Sequence, residues 1–299
     1  MEPLSISASL ALPVVGHNAT HNLFCTLYPP QLGAAKGTFL ILHGMQEHSG
    51  RYIKLAHYLV AQGYAVLTYD HLGHGRSVHT GAELGFFQLQ FPKEQLIQDA
   101  QWMADYLQQK YPKIPHYILG HSMGSFITRC LLQNTGHTFS GAVIVGTGAK
   151  PFGLELLLGI TSLLNKLAPY RRSSLLNAAF RLRNNMRFRK EVDYDGSNWL
   201  SLNKENRKAF NQDPLCGGQF TNNGFYTLFS LMYQATRKDW WQGIPKNLPM
   251  LFISGEDDPI GDFGKGVKNT AAQLIAHGFE NIRVKLKPYK RHEVLLDTD

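Results

Sequence analysis

Short apolar runs bounded by glycine and turn residues alternate, in the first half of the chain, with longer segments whose apolar positions recur at helical spacing. FLILHG (39–44), YAVLTYD (64–70), HYILGH (116–121) and GAVIVGT (141–147) run on without alternation, which predicts strands buried on both faces of a parallel sheet. Between them SGRYIKLAHYLVAQG (49–63), PKEQLIQDAQWMADYLQQKYP (92–112) and SMGSFITRCLLQ (122–133) predict crossover helices. This rhythm stops at Thr147 and resumes with the strand-like PMLFISG (249–255), the helix-like GKGVKNTAAQLIAHG (264–278) and the strand-like NIRVKLK (281–287). Ahead of it, SISASLALP and THNLFCTLYPP alternate and end in turn residues, as antiparallel strands do.

The interruption predicts an insertion. The chain accordingly divides into a first core part (1–148), an inserted, mainly helical cap (149–246) and a second core part (247–299). The insertion carries an apolar helix-like stretch from Leu154 to Leu167, a basic block from Arg171 to Lys190, and an aromatic segment with Phe225, Tyr226, Phe229, Tyr233, Trp240 and Trp241. Leu154, Leu157, Leu158, Ile160 and Leu164 fall close to helical spacing on a segment rich in leucine all round. That suits a lid over an acyl-chain pocket or an interfacial face, or a helix buried against the cap itself.

Charge sharpens this picture. The 299 residues carry a formal charge of +8, and residues 151–245 hold thirteen Lys+Arg against seven Asp+Glu, so +6 of it lies in that stretch. Arg171, Arg172, Arg181, Arg183, Arg187, Arg189 and Lys190 come without an intervening acid. They are either a solvated face or a dock for an anionic membrane surface, at about 1 kcal/mol per basic side chain. No nucleic-acid recognition module accompanies them, so nucleic acid is not an expected partner. With 43% apolar and 17% charged residues the chain is expected to fold, not to be disordered. Cys25, Cys130 and Cys216 suggest neither a disulfide framework nor a zinc site. The opening residues lack a basic n-region, and no run of eighteen apolar residues occurs. A cytoplasmic protein is expected, peripheral at the inner membrane face if the basic block docks there.

The chemistry begins at Gly120-His121-Ser122-Met123-Gly124, a G-x-S-x-G placed between a predicted strand and a predicted helix. Small residues two positions either side of a serine permit a sharp strand-to-helix turn that exposes Oγ and brings the Met123 N–H and the helix N-terminus to a reacting carbonyl. Ser122 as a plain helix N-cap is the alternative. A serine nucleophile needs a histidine base oriented by a carboxylate, in the chain order Ser, acid, His. After the insertion only His277 and His292 remain. His277 ends a helix, where a histidine faces the negative end of the dipole, whereas His292 follows the last strand, at the sheet edge where Ser122 emerges. SGEDDPIGD offers Glu256, Asp257, Asp258 and Asp262 as the acid. Asp258, biased toward extended backbone by Pro259, is favoured, with Asp257 the alternative. His43-Gly44-Met45 closes the strand FLIL, where the Met45 N–H can be a second oxyanion donor. His43, His48 and the run Asp70–Ser77 read as scaffold.

HGMQEHSGRY, YDHLGHGRS, GHSMGS, DPLCGG, IPKNLPMLFISGEDDPIGDFGKGV and KLKPYKRHEVL resemble bacterial lysophospholipase and monoacylglycerol lipase-type α/β-hydrolases, the serine aminopeptidase-like branch, over nearly the whole chain outside 150–190. The resemblance implies an α/β-hydrolase fold with a mostly parallel sheet and a cap. It also implies a triad of Ser122, Asp258 and His292, an oxyanion hole at Met45 and Met123, a small lipid or ester substrate, and neither cofactor nor metal. It further implies a helix after the His292 loop, whereas the sequence in hand stops at Asp299. Cleavage of monoacyl lipid esters is the leading expectation. A short-acyl carboxylesterase or an aminopeptidase-like hydrolase is the runner-up, and a non-catalytic interaction scaffold is the reading from another class.

Overall fold

Strands β1 (Ile6–Pro13) and β2 (Thr20–Tyr28) form an antiparallel ribbon, and β2 in turn pairs antiparallel with β4 (Ala65–Tyr69). The other strands, β3 (Thr38–Leu42), β5 (His116–His121), β6 (Gly141–Val145), β7 (Met250–Gly255) and β8 (Ile282–Lys287), are parallel to β4. The eight strands make one sheet in the order β1-β2-β4-β3-β5-β6-β7-β8. This computed structural model describes residues 4–16 and 18–297.

Alternation within each strand divides its side chains between two cores. Leu40, Leu42, Ile118 and Ile144 join the larger one, while Ile41, Leu119 and Val145 join the smaller. Helix α1 (Ile53–Ala61) and the segment Val294–Leu296 cover the smaller core. The larger is covered by α2 (Pro92–Lys110), α3 (Met123–Thr135) and α8 (Lys265–Ala276). Helix α2 starts on Pro92, whose ring presets the helical φ where no N–H partner is needed, and it buries Leu96, Ala100, Met103, Ala104 and Leu107 along one stripe. Each fully buried leucine contributes roughly 1.5–3 kcal/mol.

The insertion between β6 and β7 holds α4 (Leu154–Leu167), α5 (Ser174–Asn185), α6 (Lys204–Gln212) and α7 (Asn222–Thr236). Side chains start three of these helices: Ser173, Asn203 and Thr221 accept from the N–H groups of Leu176, Asn206 and Gly224. Helix α7 packs on α2, α3 and α4, and its Phe225, Leu228, Leu231 and Ala235 belong to the larger core. The aromatic part of the insertion is therefore continuous with the sheet's own interior. A separate small cluster of Phe188, Trp199 and Leu200 joins the insertion to the site described below.

Helix α4 has two apolar faces. Leu154 is buried, Leu157 and Leu158 pack against the larger core and Leu164 is half-buried, whereas Ile160 joins Leu156, Leu163 and Leu167 in an exposed stripe with four-, three- and four-residue steps. The grouping expected from the sequence thus separates into a packed set and one solvent-facing member, because leucine on every side of a helix conceals which stripe faces in. Among the described residues no helix is long and apolar enough to cross a membrane. Cys25, Cys130 and Cys216 are buried free thiols.

Candidate active site

Strand β5 ends at His121 and α3 begins at Met123, so the whole strand-to-helix turn falls on Ser122. Its φ of 53° and ψ of −118° cost a residue with a side chain roughly 1–3 kcal/mol. The turn is held by the Ser122 N–H donating to Val145 O at 2.9 Å and by Ser122 O accepting from the Ser125 N–H and Oγ at 2.9 and 2.6 Å. The flanking glycines are required by contact: a Cβ on Gly120 would lie 2.3 Å from Gly124 O, and one on Gly124 2.3 Å from Leu42 O. Ser122 makes no side-chain cap bond, so the N-cap alternative does not describe it.

His292 follows β8, and its Nδ1 lies 3.0 Å from both carboxylate oxygens of Asp258, which follows β7. Asp258 is fully buried, whereas Glu256, Asp257 and Asp262 are exposed. Burial alone would raise the Asp258 carboxyl. The charge and hydrogen bond of His292, with the Ile260 N–H at 2.8 Å and Ser254 Oγ at 3.1 Å, hold it below the usual range instead. Nε2 of His292 is buried with no hydrogen-bond partner among the described residues, and His292 and Ser122 line one small cavity. The rings of His121 and Trp199 lie 4.8 and 5.0 Å from the imidazole.

Met45 also lines that cavity. The N–H groups on either side of it are engaged: Gly44 donates to Glu47 Oε1 and Gln46 to His74 Nε2. The Met45 N–H has no partner among the described residues. Met123, the first residue of α3, has no acceptor for its N–H within the helix. Two free backbone donors thus flank Ser122.

Behind the serine lies a buried polar network that sequence reasoning missed. Glu47 Oε1 accepts from the Tyr52 hydroxyl at 2.9 Å and from His121 Nδ1 at 3.1 Å. Arg51 bridges Glu47 and Glu293, and His121 Nε2 lies 3.2 Å from the carbonyl oxygen of His292. A carbonyl only accepts, so Nε2 carries a proton, while Nδ1 faces the Tyr52 hydroxyl at 2.9 Å and the Glu47 carboxylate. Burial would lower the His121 pKa, but the Glu47 hydrogen bond and charge raise it overall. The network ties the loop after β3, the residue before Ser122 and the histidine loop together. Its members lie within three of the motifs picked out in the sequence, yet a buried acid in HGMQEHSGRY reads there as one more solvated charge.

The scaffold residues also find partners. Asp70 accepts from the N–H groups of Ser49 and Arg76 at 2.8 and 2.7 Å, His43 accepts from the His71 N–H, and His48 bonds Asp213. The basic block divides. Arg172 is bound to the carbonyls of Gly81, Ala82 and Gln219, and the Arg187 guanidinium sits 3.4 Å from the Phe263 ring centroid, while Arg171, Arg181, Arg183 and Arg189 are exposed.

On the far side of Ser122 opens a cavity of about 210 Å³. Met45, Met123, Leu157, Phe180, Leu228 and Ile260 are among its walls, and Arg183 is their one charged residue. A serine on a strained strand-to-helix turn, a buried His–Asp pair and an eight-stranded, mostly parallel sheet define an α/β-hydrolase. Residues 33–299 match the model of the family described as serine aminopeptidase, S33. Mouse monoglyceride lipase is 29% identical over 241 residues, 80% of this chain and 71% of that protein. A structure titled a lipase in its open form superposes with a TM-score of 0.82 at 26% identity, covering 96% of this chain and 92% of the other. A thermostable carboxyl esterase from Bacillus coagulans superposes at 0.85 and 24%, with the same coverages. The chain belongs to the serine aminopeptidase S33 family of α/β-hydrolases and is a serine ester hydrolase.

Proposed function

We propose that this protein hydrolyses carboxylic esters of monoacyl lipids through an acyl-enzyme, with Ser122, His292 and Asp258 as its triad. The observation that carries the reading is the almost wholly apolar cavity opening on Ser122 beside the His292–Asp258 pair. Ser122 Oγ attacks the ester carbonyl and gives its proton to His292 Nε2, while Asp258 holds the proton on Nδ1 and balances the imidazolium. The Met45 and Met123 N–H groups bind the oxyanion. Collapse breaks the C–O bond, the alcohol leaves with the proton from His292, and water repeats the sequence on the acyl-enzyme. An aminopeptidase would need an acid near the acyl side to hold an α-ammonium group. The cavity walls offer Arg183 and no acid. That favours an acyl chain, the chemistry in the name of mouse monoglyceride lipase.

Delivery of such a substrate fits the insertion's outer surface. The exposed stripe of α4 continues from Phe152, and the insertion also exposes Leu175 and Leu182 on α5 and Met186 just after it, at seven- and four-residue steps. With Arg181, Arg183 and Arg189 exposed in the same segment, this surface pairs apolar and cationic groups as a peripheral contact with anionic lipid requires. The test is an ester panel of increasing acyl length run beside labelling with a fluorophosphonate. Turnover should rise with chain length, and Ser122→Ala should lose both turnover and label while keeping its fold. A label mapped to another serine, or a preference for acetyl esters, refutes the reading.

A further inference from the structure

A second cavity, of about 320 Å³, lies on the other side of Trp199, and its character is opposite to that of the acyl cavity. Its walls include Gln46, Arg181, Asp195, Ser197, Asn211 and Gln219. It shares Gln46, Trp199 and Phe210 with the small cavity that holds Ser122 and His292, and Phe180 with the acyl cavity. An ester on Ser122 has two ends. The acyl end belongs in the apolar cavity. The alcohol end must lie toward His292, which returns the proton to it, and that side continues into the polar cavity.

The polar groups there are unequally committed. Asp195 accepts from the Ser197 N–H and hydroxyl on Oδ1 and from Arg207 Nε on Oδ2, so its charge is already answered. The Asn211 amide donates to Ser197 Oγ. The Arg181 guanidinium, by contrast, makes no ion pair or hydrogen bond among the described residues, and neither does the Gln46 carboxamide. Gln46 is moreover held at a φ of 57°, next to the Met45 N–H and bonded to Gly217 N–H through its carbonyl. Such backbone costs free energy in a residue with a side chain.

We infer that this cavity is the head-group site and that Arg181, with Gln46 beside it, receives a phosphate, so that the enzyme takes lysophospholipids in preference to uncharged monoacylglycerols. A guanidinium presents paired donors that match phosphate oxygens, whereas glycerol hydroxyls leave its charge unanswered. This rests on the reading of Ser122 as an ester-cleaving nucleophile and names the alcohol that leaves.

The experiment compares a short-chain lysophosphatidylethanolamine with the monoacylglycerol of the same acyl chain, both below their micelle concentrations, so that no lipid surface is present. Arg181→Gln should lower kcat/KM for the lysophospholipid about tenfold or more and leave the monoacylglycerol within about twofold, as expected for one charge-assisted contact. Arg181→Lys should recover part of the loss. Arg189→Gln, in the same basic block but outside the cavity, should change neither. Glycerophosphoethanolamine should inhibit the wild type more strongly than glycerol, and Arg181→Gln should remove that difference. Equal effects on both substrates, equal effects of Arg189→Gln, or a wild type that cleaves only the monoacylglycerol each overturn the head-group site while leaving the esterase reading intact. Cleavage that survives Ser122→Ala sinks the esterase reading itself.

Discussion

His74 should make this protein acid-sensitive in a way that one substitution removes. The side chain is buried in the loop after β4, its Nδ1 lies 3.1 Å from Leu72 O, and its Nε2 accepts from the Gln46 N–H at 3.2 Å. A carbonyl cannot donate and a peptide N–H cannot accept, so both contacts require the neutral ring with its proton on Nδ1. Burial, reinforced by nearby His43, lowers its pKa from 6.5 to about 3. In the unfolded chain the ring binds a proton near pH 6.5, in the folded chain only near pH 3. The stability His74 contributes is therefore complete above about pH 6.5 and is lost as pH falls toward 3. Between pH 7 and pH 5 the loss is about 2 kcal/mol, since nearly the whole of that interval below 6.5 is charged at 1.36 kcal/mol per unit. The measurement is urea unfolding of wild type and His74→Asn at both pH values. The variant is less stable at pH 7, and the gap should shrink by about 2 kcal/mol at pH 5, because only the wild type then pays to keep the ring neutral. A gap of the same size at both pH values would falsify the assignment.

Two further outcomes follow from the site. Asp258→Asn should cut turnover by roughly 10⁴, as the tautomer and charge balance of His292 are lost. Asp257→Asn, on an exposed side chain one residue away, should stay within about twofold in the same steady-state assay, and the reverse pattern would move the acid by one position. At the insertion's surface, Leu156→Gln with Leu163→Gln should weaken co-sedimentation with anionic vesicles at all salt concentrations, whereas neutralising the exposed Arg171, Arg189 and Lys190 should weaken it chiefly at low salt, where the Debye length exceeds about 8 Å. Cleavage of a soluble monoacylglycerol should be unchanged in both variants, and unchanged, salt-insensitive partitioning of both would leave this face without a role at membranes.

Much of this protein is local and therefore legible in its sequence. The uninterrupted apolar runs of β3, β5 and β6 follow from burial on both faces, and the two glycines around Ser122 follow from backbone contacts of 2.3 Å that no side chain could occupy. The order Ser, acid, His follows from the chain returning to one edge of a parallel sheet. What is not local could not be read. Four carboxylates in SGEDDPIGD are equivalent as letters, and the choice of Asp258 from the residues alone rested on Pro259. Only packing shows that Asp258 is buried against His292 while its three neighbours face water. The leucines of α4 divide between interior and surface according to where α7 lies, a contact made across some sixty residues of chain. Glu47, Arg51, His121 and Glu293 become one network only when three loops meet, and the raised pKa of His121 depends on a carboxylate 74 residues away. Hydrophobic period and steric necessity act over a few residues and leave their mark in the sequence, while burial, and with it the protonation and partners of each polar side chain, is a property of the closed tertiary structure.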